Sequence, residues 1–306
     1  AFIVIGIVLM QVVRRIWTPD EVELTGSETS AFAARRQCTK AVILARGLGT
    51  RMREADEAVA LDRDQTAAAD SGVKAMIPIG RPFLDYLISA LADAGFTDVC
   101  IVVAPDHAVI RDHYTSQNVP KRVRISFAVQ SVAIGTADAV LAAEEFTAGE
   151  PFVVMNSDNY YPAESLTRLR ATDGPATIGF TREGLVRGGN IPPERIAAYA
   201  LLDVAADGTL RAISEKPDAA TITALGESTL VSMNCWRVTS EFFRACRDVQ
   251  PSSRGELELP LAVQYAIDIL GMRFTVIRAD APVLDLSRRA DIPRVAALLA
   301  GTEVSL

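Results

Sequence analysis

Lys40-Ala41-Val42-Ile43-Leu44-Ala45-Arg46-Gly47-Leu48-Gly49-Thr50-Arg51-Met52 is the stretch on which the fold turns. A short apolar run that stops at a glycine-rich turn reads as a buried parallel strand feeding a loop. Glycines let such a loop bring its backbone N–H groups close to an anion. The loop is not a Walker A sequence, because no Gly-Lys-Ser/Thr follows. It is not G-x-G-x-x-G either, since Met52 occupies the third glycine position. Two glycines after a strand do not by themselves name a ligand. Arg51 adds a fork of donors at the end of the loop, where a polyphosphate would lie.

Working outward, Arg81 to Ala94 carries apolar residues at helical spacing, and residues 99–103 read as a second buried strand. A helix over 107–114, a strand over 124–129, a helix over 136–145 and a strand over 152–155 follow. Strands alternating with helices at this pitch predict an α/β fold, a Rossmann-like mostly parallel sheet with helices on both faces. The second half is less regular. Strands are expected over 177–181, 197–202, 210–214, 229–237 and 274–277, with Asp207-Gly208 as a hairpin turn. Helices are expected over 241–246, 257–270 and 292–299. One continuous sheet is therefore expected, with an elaboration beginning after about residue 165.

The 306 residues can bury a large core, and an apolar fraction of 49% excludes a disordered chain. A net charge of −7 argues against a nucleic-acid partner, although a small anionic ligand needs only a local group of basic side chains. Cys38, Cys100, Cys235 and Cys246 show no C-x-x-C pair and read as buried hydrophobes in a reducing cytoplasm. Residues 1–39 are set apart as an N-terminal extension. Residues 1–13 are apolar but shorter than a membrane span, and the chain does not begin with Met. That run is read either as a packed or artefactual extension or as the end of a cut transmembrane helix, so any membrane contact is expected through residues 1–15.

Gly47 to Met52, followed by Lys74-Ala75-Met76-Ile77-Pro78-Ile79-Gly80-Arg81-Pro82, resembles the signature of the sugar-1-phosphate nucleotidylyltransferases. The resemblance recurs in order along about residues 40 to 295, which is more specific than any single motif. It implies that the loop, with Ala45, Gly47, Gly49 and Thr50, holds a triphosphate. Arg51 would grip its outer phosphates and Lys74 the phosphates near the reacting centre. Gln130 would read the base edge, and Gly135 would let the base lie against the backbone. Taken without the resemblance, this pair is a polar strand end with a helix-opening glycine. Asp158, after the strand at 152–155, and Asp285 match the metal-binding aspartates, with Mg²⁺ as the expected ion. Each would otherwise read as a cap or turn residue. In Glu215-Lys216-Pro217 the resemblance assigns Glu215 to sugar hydroxyls and Lys216 to the sugar phosphate, whereas composition alone gives a solvated turn. Asn234 and Glu258 resemble sugar-pocket positions.

The chain departs from the family pattern at several places. Arg46 replaces a small residue in the loop, the link over 54–73 is long and alanine-rich, Ala200 stands at a usual glycine, and Leu286-Ser287 replaces Gly-Thr. What the resemblance implies is transfer of a nucleotidyl group from a nucleoside triphosphate, dTTP or UTP, to a sugar 1-phosphate. The domain would run over 40–300, with a nucleotide half to about 165 and a sugar-binding half beyond it. Arg51, Lys74 and Lys216 would be the catalytic cations. The rival readings are a transferase using GTP, ATP or CTP or a non-sugar phosphate, and a catalytically silent nucleotide-binding subunit. A homo-oligomer is compatible with all of these. His107 and His113 are read as structural residues on a surface helix, not as nucleophiles.

Overall fold

The alternation of side chains along the first strand builds the two layers of the core. In the computed structural model, which describes residues 38–306 apart from 216, 219, 223–225 and 227, β1 (Lys40–Leu44) is an inner strand of a nine-stranded sheet. Ala41 and Ile43 face one apolar layer with Leu84, Leu87, Ile88 and Leu91, while Val42 and Leu44 face the other with Val140, Phe242 and Val263. A strand buried on both faces has no polar side to show, which is why its sequence is a continuous apolar run.

β1 pairs in parallel with β2 (Asp98–Val103) on one side and with β4 (Phe152–Asn156) on the other. β3 (Arg124–Val129) adds a parallel edge beside β2. Beyond β4 comes the antiparallel β9 (Leu230–Val238), then β6 (Ala176–Phe180) and β10 (Thr275–Ala279), the last two parallel to each other. The expected hairpin is present as β7 (Ala200–Val204) and β8 (Leu210–Ser214), and β7 joins the sheet through β9. The sheet is therefore mostly parallel, and its two sequence halves share it through the β4–β9 pairing. A two-stranded ribbon, β5 (Asn159–Tyr160) with β11 (Leu284–Asp285), ties residue 159 to residue 285.

In chain order the helices begin with α1 (Thr50–Arg53), α2 (Arg63–Ser71), α3 (Phe83–Asp93) and α4 (Ala108–Asp112). The helix expected over 136–145 is interrupted by a turn, giving α5 (Thr136–Leu141) and α6 (Glu144–Thr147). There follow α7 (Ala163–Ala171), α8 (Arg182–Val186), α9 (Pro193–Ile196), α10 (Phe242–Asp248), α11 (Leu259–Asp268) and α12 (Asp291–Leu299). α2 lies inside the long, alanine-rich link over 54–73. Asp62 and Gln65 form a reciprocal capping box at its start, and Gly72 ends it in the left-handed conformation.

His113 does not lie on an outward face. Its Nε2 is 3.0 Å from the buried Asp85 carboxylate, which also accepts from Tyr114 Oη at 2.8 Å and Asn118 Nδ2 at 3.3 Å. The histidine helps to satisfy a buried acid, a structural role reached by a different route from the one expected. The extension assigned to 1–39 falls, except for Cys38 and Thr39, outside the described residues. Among the described residues no helix is long and apolar enough to cross a membrane.

Candidate active site

The glycine loop leaves β1 at the carboxyl end of the sheet, where open α/β sheets place ligands. Three contacts hold it. Gly49 is left-handed, with φ of 63°, and its Cα packs on Gly72 so closely that an added Cβ would sit 2.1 Å from the Gly72 carbonyl oxygen. Arg53 donates through Nε and Nη2 to the Ser71 carbonyl at 3.2 and 2.7 Å. The largely buried Arg289 donates to the Met52 carbonyl at 3.0 Å and pairs with Asp70 at 2.5 Å. Met52 itself is fully buried in a small apolar cluster with Leu286, Ile292 and Val295. The residue that breaks the dinucleotide fingerprint thus anchors the loop to the C-terminal helix. Gly47 differs from Gly49, since a Cβ there would meet nothing within 4 Å. Open space lies in front of it.

The loop borders a cavity of about 370 Å³ lined by Ala45, Gly47, Gly49, Thr50 and Arg51, and also by Lys74, Gln130, Gly135 and Asp158. Arg46 lines it too, and its Nε is buried without a hydrogen-bond partner. An orphaned guanidinium N–H at a cavity wall suits an anionic ligand. Lys74 lies in a single 3₁₀ turn, Lys74–Met76, and forms a short ion pair with Asp158 across 84 positions of sequence. Gln130 follows β3 and donates through Nε2 to the Gly135 carbonyl at 3.0 Å and to Asp138 Oδ2 at 2.8 Å. Gly135 has φ of 130°, and a Cβ on it would lie 2.2 Å from the Leu257 carbonyl oxygen. The chain's own packing therefore demands glycine at 135, whatever lies in the cavity.

A second cavity of about 580 Å³ adjoins the first and shares Arg51, Thr136, Asn156, Asp158, Glu256 and Ser287 with it. Its floor arises from a fork in the sheet. One edge of β9 pairs with β4 through residues 236–238 and with β7 through residues 230–232, leaving 233–235 between the two. Opposite, β6 shifts register between Thr177 and Gly179. The carbonyls freed by this irregularity are still satisfied, that of Met233 by Tyr161 Oη at 2.6 Å and that of Cys235 by Thr177 Oγ1 at 2.9 Å. Asn234 sits at the centre with φ of 53°, a left-handed non-glycine residue at the base of a cavity. Glu215, Glu258, Asp285 and Asp158 line the same space. Lys216 is outside the described residues.

Asp285 is 3% exposed and is positioned by its backbone as well as its carboxylate. Asn190 bridges its N–H and C=O at 2.9 and 2.7 Å. Its carboxylate accepts from Asn159 Nδ2 at 3.0 Å and Ser287 Oγ at 3.1 Å, and forms a short ion pair with Arg195. Arg195 also pairs with Asp291 at 2.6 Å. Burial opposes the charge on Arg195, but the Asp291 and Asp285 carboxylates outweigh it and raise its pKa. Burial first, and then the charge of Asp158, push the Asp285 carboxyl above its ordinary range, with Arg195 working the other way.

Two carboxylates that repel one another and open on a shared cavity offer hard oxygen donors that fit a divalent cation. Among the described residues no group of three or more His, Cys, Asp or Glu side chains is placed to hold a metal, so ligand phosphates and water would complete the shell. All the sequence-predicted site residues that are described line one or both cavities. Arg195, Tyr199, Arg254 and Arg288 also line the second and were not foreseen.

The sequence from 40 to 281 matches the nucleotidyl transferase family model. The chain belongs to that family. Among its relatives, a UTP–glucose-1-phosphate uridylyltransferase of Haloferax volcanii is 29% identical over 257 residues, covering 82% of this chain and 93% of the relative. A glucose-1-phosphate thymidylyltransferase of an Actinoplanes species is 25% identical over 259 residues, covering 83% of this chain and 76% of the relative. The fold is shared with a solved UDP-glucose pyrophosphorylase in complex with UDP-glucose, at a TM-score of 0.67 and 17% identity, over 87% of this chain and all of that one. The family generally works with a divalent metal.

Proposed function

We propose that this nucleotidyltransferase moves a nucleotidyl group from UTP or dTTP to a sugar 1-phosphate, forming an NDP-sugar and releasing pyrophosphate, with Mg²⁺ as the metal. The observation that carries the reading is the pair of adjoining cavities with Asp158 and Arg51 in their common wall. One is floored by a backbone loop suited to a triphosphate, and the other is rimmed by polar and acidic side chains suited to a sugar. The uridylyl- and thymidylyltransferase names of the relatives support the choice of nucleotide.

The sugar-phosphate oxygen attacks the α-phosphorus, the new P–O bond forms as the bond to the β-phosphate bridge oxygen breaks, and pyrophosphate leaves carrying that electron pair. Two polyanions must be brought together for this, and charge neutralisation with in-line alignment supplies most of the rate. Arg51 and the loop N–H groups hold the outer phosphates. Lys74 is held by Asp158 at the boundary between the cavities, where the α-phosphate belongs. Lys216, next to Glu215 in the sequence, is assigned to the sugar phosphate, and Glu215 and Asn234, which line the second cavity, to the sugar. Asp158 and Asp285 would hold the metal, which when bound neutralises phosphate charge beyond what the lysines and arginines provide. No protein nucleophile is required. We place the reaction in the cytoplasm, where nucleoside triphosphates are made.

The test is purified protein incubated with each of five triphosphates (UTP, dTTP, CTP, ATP and GTP) against a panel of sugar 1-phosphates, with and without Mg²⁺, with pyrophosphate release measured. Release with UTP or dTTP and a sugar 1-phosphate is expected. Nucleotide binding without release under every condition would establish a silent subunit instead.

A further inference from the structure

Gln130 is 4% exposed and stands in the wall of the loop-side cavity. Its Nε2 carries two N–H groups, and both are engaged, one by the Gly135 carbonyl at 3.0 Å and one by Asp138 Oδ2 at 2.8 Å. Both partners are pure acceptors. Turning the amide over would set Oε1 against two oxygens, so the network permits a single orientation. A glutamine at a base edge could in principle donate or accept. Held in this way it has only its carbonyl oxygen to offer.

The two clamping groups are of different kinds. The Gly135 carbonyl is backbone, present whatever the side chains are. Asp138 is half-buried in the first turn of α5, and its carboxylate is the part of the clamp that the sequence can vary. We propose that Asp138 is a positioning residue that fixes Gln130 as a hydrogen-bond acceptor, so that the cavity selects bases presenting a ring N–H at that edge. The inference rests on the assignment of this cavity to the nucleotide base. Uracil and thymine present N3–H there and satisfy Oε1. Cytosine presents N3 as a bare acceptor, so two lone pairs would face each other in a buried place. Adenine N1 meets the same objection, whereas guanine N1–H does not, so this contact separates U and T from C and leaves guanine to be refused by other features. UTP against CTP is the sharpest comparison, because the two differ only along the edge in question.

The experiment measures kcat/KM for UTP and for CTP in the wild type and in Asp138→Ala, Asp138→Asn and Asp138→Lys. Calorimetric Kd values for both nucleotides and a thermal midpoint accompany each variant. The wild type should favour UTP by about a hundredfold or more. In Asp138→Ala a single carbonyl holds the amide, and the UTP to CTP ratio should fall about tenfold, the worth of one hydrogen bond to a charged group. Asp138→Asn keeps an oxygen that can accept the same bond, so its ratio should stay within about threefold of the wild type. Asp138→Lys donates where aspartate accepts and should lower the ratio further than Ala does. If Ala and Lys reduce both nucleotides equally and leave the ratio alone, Asp138 is merely structural and the proposal fails. A wild-type ratio near one overturns it as well. Should the wild type turn over no triphosphate, the enzymatic reading falls, and the proposal is then judged on the ratio of the Kd values alone.

Discussion

Gly47 and Gly49 are two residues apart in one loop, yet the structure gives them separate jobs that alanine can pull apart. Gly49 has φ of 63°, which costs an alanine about 1–2 kcal/mol relative to glycine. Its new Cβ would also stand 2.1 Å from the Gly72 oxygen and 2.6 Å from the Gly72 Cα. Both are backbone atoms that no rotamer can move aside. The loop would have to retreat by about 1 Å from the end of α2, an overpacking strain of about 1–3 kcal/mol. The Gly49→Ala variant should therefore lose about 2–5 kcal/mol, lowering Tm by roughly 4–10 °C for a domain of this size. Gly47 is outside the left-handed region, and an added methyl would touch nothing within 4 Å. Gly47→Ala should leave stability within about 0.5 kcal/mol of the wild type. It should nonetheless raise the KM for the triphosphate, since Gly47 lines the cavity assigned to the phosphates. Thermal unfolding and initial-rate kinetics on both variants decide the matter. An unchanged Tm for Gly49→Ala would refute the packing of the loop on Gly72, and an unchanged triphosphate KM for Gly47→Ala would refute the loop as a phosphate site.

Three further outcomes are expected. Asp158→Asn and, separately, Asp285→Asn should each lower kcat at least a hundredfold at fixed Mg²⁺ with the circular-dichroism spectrum retained; wild-type metal-dependent rates in both would end the metal assignment. Arg51→Ala should weaken the triphosphate and Lys216→Ala the sugar 1-phosphate, each by roughly tenfold or more. Equal weakening of one substrate by both would show that the division into two cavities does not correspond to two substrates. Stability should also fall with alkaline pH. Burial, the largest influence on each, raises Cys38 to about 11 and Cys100 to about 12 from an ordinary 9.0. Above pH 9 the unfolded chain therefore releases thiol protons that the folded chain keeps, and each thiol costs up to about 1.4 kcal/mol per pH unit until its folded pKa is reached. Urea midpoints at pH 8 and pH 10 measure this, and the double variant Cys38→Ala, Cys100→Ala should show a shallower loss.

What could be read from sequence was whatever burial writes locally. β1 was legible because a strand covered on both faces is continuously apolar, and the loop because Gly47 and Gly49 follow it closely. α2 was not, although Asp62 and Gln65 spell a capping box, because its alanines and charges show no apolar stripe. The same blindness hid the ion pair between Arg195 and Asp285, 90 positions apart. A buried carboxylate must have a partner, but nothing local says which cation supplies it. Sequence alone could assign Asp158 and Asp285 to a metal only by resemblance. The structure adds that each already faces a resident cation, Lys74 for one and Arg195 for the other. Asp158, in the wall common to both cavities, pairs with Lys74, which lines the first, and whatever binds there must compete for Asp158 or pair with Lys74. A triphosphate accompanied by a divalent cation does both at once: its anionic oxygens take over Lys74, and its cation takes over the carboxylate. Either component alone would break the pair and leave one partly buried charge uncompensated, so binding of nucleotide and metal should be mutually reinforcing. In calorimetry the triphosphate should bind the wild type at least tenfold more tightly with Mg²⁺ than without it. Asp158→Asn leaves no carboxylate to be compensated, and most of that gain should disappear. An equal Mg²⁺ effect in both proteins would show that the metal rides on the nucleotide alone and that Asp158 has no share in holding it.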